Sequence, residues 1–404
     1  MPIIFVPGVM GSRLFKNGSP FWDPDQQSSM APLLWASAGK RADMISVSSP
    51  ATIATTGVAA AGLTADQIAR GWAGPCWDFY GQALRFLDDQ SNWGGNSCRV
   101  YAFGYDWRKS NAVTGAQLIT YISSVLQKEQ DQGAKKVILV THSMGGLVSR
   151  WALKHGAGGQ VKGVIHAVQP AVGAVVAYRR YKSGAIWSSP YNDAPLGLTR
   201  ILGRSPYDYA VVSYGLRGPQ ELLPSNLHPA APYHSQHWLT WDAKVPVSIA
   251  QPPPNIYDVY RESTGYLGLF ASSDPAEAAH LAGIRTSING AEAFHADMKA
   301  WVFDPTFVVA IDGHGTDAGT DMSWVVNVFS ANGTEVNETL LKLSKDTYPH
   351  GDGTVPLGSQ TALAVPATNM AVFSSGAPEH ADAYKYQPIL DKVKDFANRI
   401  VNLP

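Results

Sequence analysis

The run Val137-Ile138-Leu139-Val140-Thr141-His142-Ser143-Met144-Gly145-Gly146-Leu147 constrains the fold more than any other part of this chain. Four apolar residues in succession read as a strand buried on both faces. A helical period begins directly after Ser143, so the backbone has to reverse within one tight turn. A serine on such a strand–turn–helix junction projects its hydroxyl above the sheet edge, the geometry of a nucleophile elbow. Small residues flank it because strand and helix approach too closely there for larger side chains. The pattern is T-H-S-M-G, with Thr141 standing where G-x-S-x-G has its first glycine. The competing reading is a structural turn.

The rest of the chain repeats that rhythm. Short apolar runs at 3–6, 99–103, 136–140, 161–168, 307–311 and 369–374 alternate with helical patterns at 78–89, 117–132, 145–155 and 386–401. The last places Ile389, Val393, Phe396 and Ile400 on one stripe, as in a helix docked on a sheet. Alternation of this kind predicts an α/β fold with a mostly parallel central sheet flanked by helices. Two stretches break it. Residues 23–72, rich in Ala, Ser and Thr, read as an insertion after the first strand, with the character of a lid. Residues 176–300 hold much of the Pro and Tyr, including Pro252-Pro253-Pro254, and read as a cap, since so long an irregular segment is rarely plain loop. The core is then 1–22, 73–175 and 301–404.

Composition narrows the function. Lys+Arg 31 against Asp+Glu 32 leaves a net charge of −1, which supplies no positive field for nucleic acid. Two cysteines, Cys76 and Cys98, exclude a disulfide-framed fold and a Cys-based zinc cluster; one bridge or two thiols both fit the count. No basic n-region with an apolar h-region opens the chain, and no apolar run reaches 18 residues, so the expectation is a cytoplasmic protein without a transmembrane segment. A trimmed secreted form also fits, and oligomeric state is open.

A serine hydroxyl becomes a nucleophile only when a base takes its proton and an acid orients that base. On an elbow of this type the chain order is Ser, Asp or Glu, then His. His380 follows the last predicted strand in Ser374-Ser375-Gly376-Ala377-Pro378-Glu379-His380, where a loop can swing an imidazole over the sheet edge. Asp352, in His350-Gly351-Asp352-Gly353-Thr354-Val355-Pro356, sits in a glycine-flanked turn and is the favoured acid. Asp312, at the end of the 307–311 run, is its rival, and Asp382 lies too near His380 along the chain. Two backbone N–H groups should receive the oxyanion. Met144 supplies one. Pro7-Gly8-Val9-Met10-Gly11-Ser12 supplies the other, from Val9 first and Met10 next, its glycines freeing the backbone to turn.

These motifs resemble the lecithin:cholesterol acyltransferase-like (LCAT-like) family, which includes phospholipid:diacylglycerol acyltransferases. The residues that carry the resemblance are Pro7-Gly8-Val9-Met10-Gly11-Ser12, Tyr105-Asp106-Trp107-Arg108, His142-Ser143-Met144-Gly145-Gly146 and Gly351-Asp352-Gly353-Thr354-Val355-Pro356, with a fainter echo in Glu221-Leu222-Leu223-Pro224-Ser225. The resemblance implies an α/β-hydrolase fold with a cap, the triad Ser143, Asp352 and His380, and oxyanion donors at Val9 and Met144. The family's lid disulfide does not carry over, because residues 23–72 contain no Cys.

The remaining signals are weaker. Met10, Tyr105 and Trp107 are candidate substrate contacts at the site edge, and Asp106 and Arg108 read first as an ion pair fixing their loop. Residues 174–187, with Tyr178, Arg179, Arg180, Tyr181 and Lys182, read as a helix covering the core, or as a lid helix meeting lipid. His142 reads as packing. His234 and His237 lack a carboxylate partner motif, so no metal is expected. The expected activity is hydrolysis of an apolar carboxylic ester through an acyl-enzyme, with no cofactor. The alternatives are acyl transfer to an alcohol and a catalytically dead binding protein of the same fold.

Overall fold

The computed structural model of the chain describes residues 1–56, 62–93, 98–185, 196–229, 238–241, 254–261, 275–326, 339–343, 346–348 and 350–404. One sheet holds β1 (Ile3–Val6), β2 (Val100–Ala102), β3 (Val137–His142), β4 (Val161–Ala167), β5 (Thr306–Ile311) and β6 (Met370–Phe373). Their order is β6-β5-β4-β3-β1-β2. Every pairing in it is parallel. All six apolar runs expected to be strands are found here, with ends moved by one or two residues.

Strand alternation sorts the side chains onto two cores. Ile3 and Phe5 pack with Tyr80, Leu84 and Leu87 of α1 (Trp77–Asp88) and with Ile389, Val393, Phe396 and Ile400 of α4 (Gln387–Val401). Ile4 and Val6 pack on the other face with Leu118 and Ile122 of α2 (Asn111–Lys128) and with Leu147 and Val148 of α3 (Gly145–Ala152). Helix α2 begins well before the 117 read from sequence. Its first turn is capped by Ser110, whose side chain accepts the Ala112 N–H. Glu221 adds a second cap from 110 residues away, its Oε2 accepting the Asn111 N–H at 2.7 Å. That cap has no local sequence signature.

The chain lays down β1, then β2 on one side of it, then crosses to place β3 on the other side and continues outward. The loops leaving β1 and β3 therefore diverge at the carboxyl edge of the sheet, the edge where ligands of open α/β sheets bind.

The inserted stretches have structure of their own. After β1, Leu14–Lys16 and Ser19–Trp22 form an antiparallel hairpin extended by Thr52–Ile53, and the helices Ala31–Trp35 and Ala38–Ile45 follow the hairpin. The 176–300 stretch is largely helical where described, from Val175–Ser183 to the long helix Pro275–Met298. Its strand Leu239–Trp241 pairs with Thr316–Val326 in a second sheet, which also takes Thr339–Leu343 and Asp346–Tyr348. Among the described residues, no helix is long and apolar enough to cross a membrane.

Candidate active site

Ser143 follows β3 with φ of +52°, a left-handed conformation that non-glycine residues seldom adopt. Its neighbours hold it there. The Ser143 N–H donates to the Ala167 carbonyl at 3.0 Å, and its own carbonyl accepts from Gly146 N–H at 2.9 Å. A Cβ on Gly145 would lie 2.4 Å from the Pro7 carbonyl oxygen and 2.5 Å from that of Val6, so only glycine fits at this place beside Ser143. At Thr141 there is room for a side chain. Its hydroxyl meets His166 Nδ1 on β4 at 2.8 Å, which accounts for threonine where the usual motif has glycine.

His380 Nε2 lies 2.9 Å from Ser143 Oγ, and His380 Nδ1 lies 2.6 Å from Asp352 Oδ2. A carboxylate only accepts, so Nδ1 carries the proton of the neutral ring and Nε2 is left to accept from the serine hydroxyl. Asp352 is fully buried. Its second oxygen accepts the N–H groups of Thr354 at 2.9 Å and Val355 at 2.6 Å. Gly353, at φ +87°, makes this tight turn accessible. The His380 N–H donates to the Asp352 carbonyl at 2.8 Å, so backbone and side chain both join the two loops. Asp312 instead accepts from Gly313 N–H and pairs with His350 at 3.3 Å, while Asp382 pairs with Lys385.

The loop after β1 borders the same edge, with Gly8 packed against His142 and Ser143. Among the described residues, the N–H groups of Val9 and Met144 have no protein acceptor. The glycines here act differently from the sequence expectation. The left-handed residue is Met10, at φ +59°, whereas Gly8 and Gly11 are required by close approach. A Cβ on Gly8 would sit 2.9 Å from His142 Nδ1, and one on Gly11 would sit 2.7 Å from Tyr80 Oη. Behind the loop, Tyr105 Oη donates to the Pro7 carbonyl at 2.9 Å, and Trp22 Nε1 donates to that of Met10 at 3.1 Å. Trp107 is fully buried, 4.9 Å ring to ring from Trp22. Asp106 and Arg108 form a buried bidentate pair at 2.7 and 2.8 Å, and Arg108 also donates to the carbonyls of Ser46 and Ser49 in the insertion.

Three residues around the site carry connections that the sequence did not disclose. His142 Nε2 lies 3.0 Å from the His380 carbonyl, and His142 Nδ1 lies 3.0 Å from Tyr80 Oη. Tyr384 Oη donates to the Thr141 carbonyl at 3.0 Å. Burial, and secondarily the neighbouring His380, pushes the His142 imidazole down to about 3, so it stays neutral. Tyr80 and Tyr384 reach the site only through the packing of α1 and of the short helix His380–Lys385, so no local pattern marks them. Cys76 and Cys98 are both free and buried. Burial raises the Cys76 thiol, which keeps it protonated and inert. In the helix Val175–Ser183, Tyr178, Arg179 and Tyr181 are buried, so these face the protein rather than an outer surface. Trp187, His234 and His237 lie outside the described residues.

With this geometry in view, residues 78–228 match the family model described as lecithin:cholesterol acyltransferase. This part of the chain is LCAT-like. The matched segment contains Tyr105-Asp106-Trp107-Arg108 and Ser143 and ends before Asp352 and His380. A crystal structure of a Tle4–Tli4 complex superimposes with a TM-score of 0.76 at 21% identity, covering 100% of this chain and 99% of that one. At that identity the likeness establishes the fold, which is that of an α/β-hydrolase. The crystal structure of Cfl2 from Burkholderia cenocepacia, at 14% identity over 79% of this chain and 83% of that one, has a TM-score of only 0.31 and bears on nothing further. No curated protein matches the chain significantly.

Proposed function

We propose that this LCAT-like chain is a serine hydrolase cleaving carboxylic esters of an apolar substrate. The observation that carries this reading is the unbroken hydrogen-bonded line from Ser143 Oγ through His380 to Asp352, with Ser143 on a left-handed turn at the carboxyl edge of the sheet. In the reaction, His380 Nε2 takes the Ser143 proton as Oγ attacks the ester carbonyl. Asp352 accepts from Nδ1–H throughout and stabilises the imidazolium that forms. The unpaired N–H groups of Val9 and Met144 receive the tetrahedral oxyanion. Its collapse expels the alcohol, which takes the proton from His380, and leaves an acyl group on Ser143. Water activated by the same imidazole then releases the acid.

The match of residues 78–228 to an acyltransferase family favours a second reading, in which an alcohol resolves the acyl-enzyme. One experiment addresses both. Turnover of p-nitrophenyl esters from two to sixteen carbons is measured for wild type and Ser143→Ala, with and without added long-chain alcohol. The expected result is a loss of about 10³-fold or more in the variant. Equal turnover by the two proteins would remove Ser143 from the reaction. A new alkyl ester among the products would favour transfer over hydrolysis.

A further inference from the structure

We propose that His142 is a positioning residue that ties the loop carrying the oxyanion donor to the loop carrying the general base, across the back of Ser143. The directions of its hydrogen bonds allow one arrangement. The His380 carbonyl can only accept, so His142 Nε2 carries the proton and donates to it over 3.0 Å. The neutral ring then offers Nδ1 as an acceptor, and Tyr80 Oη–H donates into it over 3.0 Å. Tyr80 Oη in turn accepts the Gly8 N–H at 3.1 Å. The line therefore runs from the residue before Val9, through a phenol and an imidazole, to the backbone of the general base. Every donor in it has an acceptor.

The packing is built around this line. Gly8 is glycine because His142 Nδ1 occupies the space a Cβ would need, and Gly11 because Tyr80 does. The imidazoles of His142 and His380 lie 5.0 Å apart, so a charge on His142 would oppose the imidazolium that forms on His380 during acyl transfer. Burial keeps His142 neutral and removes that conflict. The two loops have other anchors as well. Tyr384 holds the His380 segment to Thr141, and Tyr105 holds Pro7. Loss of His142 should therefore let the two catalytic parts drift relative to each other while the fold survives.

This inference rests on the hydrolase reading, and its test separates the two. Full-length His142→Leu, His142→Gln and Tyr80→Phe are compared with wild type on p-nitrophenyl butyrate, with a thermal melt to confirm folding. A glutamine amide offers an acceptor oxygen and a donor NH2 group and can rebuild both bonds, whereas leucine can make neither. The expected result is a kcat lower by about 30-fold in His142→Leu and about 10-fold in Tyr80→Phe, with KM little changed, because small misplacements at a reacting centre act on kcat. His142→Gln should recover most of the loss. Equal loss in the Leu and Gln variants, or an effect confined to KM, would overturn the proposal. Should wild type turn over no ester, the hydrolase reading falls, and ¹⁵N-labelled histidine NMR decides this one. The line predicts an Nε2–H tautomer for His142 and a downfield His380 Nδ1 proton that shifts in His142→Leu; an unmoved proton would refute it.

Discussion

Around Ser143, the loops at the sheet edge are joined by hydrogen bonds among largely neutral groups: Tyr80, His142, Tyr384, Thr141 and backbone carbonyls. In the insertion after β1 the joints are guanidinium groups. Arg13 is fully buried, pairs bidentately with Asp23 at 3.0 and 2.9 Å, and donates to the carbonyl of Ala73. Arg108 does the same with Asp106 and the insertion backbone. Further out, Arg41 clips the insertion to Asp208 of the cap, with one partner a third exposed. The difference has a physical sense. In the reaction proposed above a charge would come and go on His380, so fixed charges there besides Asp352 would bias it, while an inserted segment far from its own chain neighbours needs joints that stay ionised at any working pH.

Three outcomes would break or sharpen this contrast. The largest effect is expected from Arg13→Met, which leaves Asp23 buried and unpaired and should destabilise by about 3–5 kcal/mol. Removing Asp23 as well, in Arg13→Met/Asp23→Leu, should recover only part of that, because the buried Asp25 also lies 3.7 Å from Arg13, as read from denaturant midpoints. A loss under about 1 kcal/mol in the single variant would place Arg13 among ordinary surface charges.

Acid should act next, and through the neutral side. Burial holds His142 and His166 near 3 in the fold against 6.5 for an ordinary histidine. Their stabilisation is complete above the unfolded value and is lost as pH falls through 6.5 toward 3, because the unfolded chain binds the protons first. At pH 5 this amounts to about 2 kcal/mol for each. Glu221 runs the other way. Burial raises it from 4.5 to about 7, so the folded chain holds its proton between those values, and stability falls as pH rises through that window. Glu221→Gln should therefore steepen the loss between pH 7.5 and pH 5. An unchanged slope would show that Glu221 is not protonated in the fold. The smallest effect belongs to Arg41→Ala, about 0–1 kcal/mol for a partly exposed pair. A loss comparable to that of Arg13→Met would make the outer clip a structural bolt as well.

How much was legible in the sequence follows the range of the forces involved. Five strands of the central sheet could be read because a strand buried on both faces is largely apolar, and the partly exposed edge strand Met370–Phe373 because its residues are apolar all the same. The stripe Ile389, Val393, Phe396, Ile400 could be read because helical period and burial coincide. Ser143, Asp352 and His380 stood out as candidates because each sits in a turn with a local backbone signature: strand to helix, glycine-flanked, and post-strand. The start of α2 at Asn111 was missed although Ser110 offers a local cap; the second cap, Glu221, comes from far along the chain and left no local signal. The second sheet was missed because its strands, Leu239–Trp241 and Thr316–Val326, lie in stretches without clear alternation.

His142 marks the boundary most sharply. By itself the sequence determined that a parallel sheet would form, that a serine would stand on a turn at its edge, and which glycines would line the loops. Those are consequences of hydrophobic period and of backbone sterics, both local. Only the tertiary structure decided that the glycines of the β1 loop make room for His142 and Tyr80, and that His142, buried as its packing role requires, also faces the carbonyl of His380. A hydrogen bond requires two groups to meet within about 3 Å. Groups separated by 238 residues, as His142 and His380 are, meet only after the sheet has brought their loops to one edge.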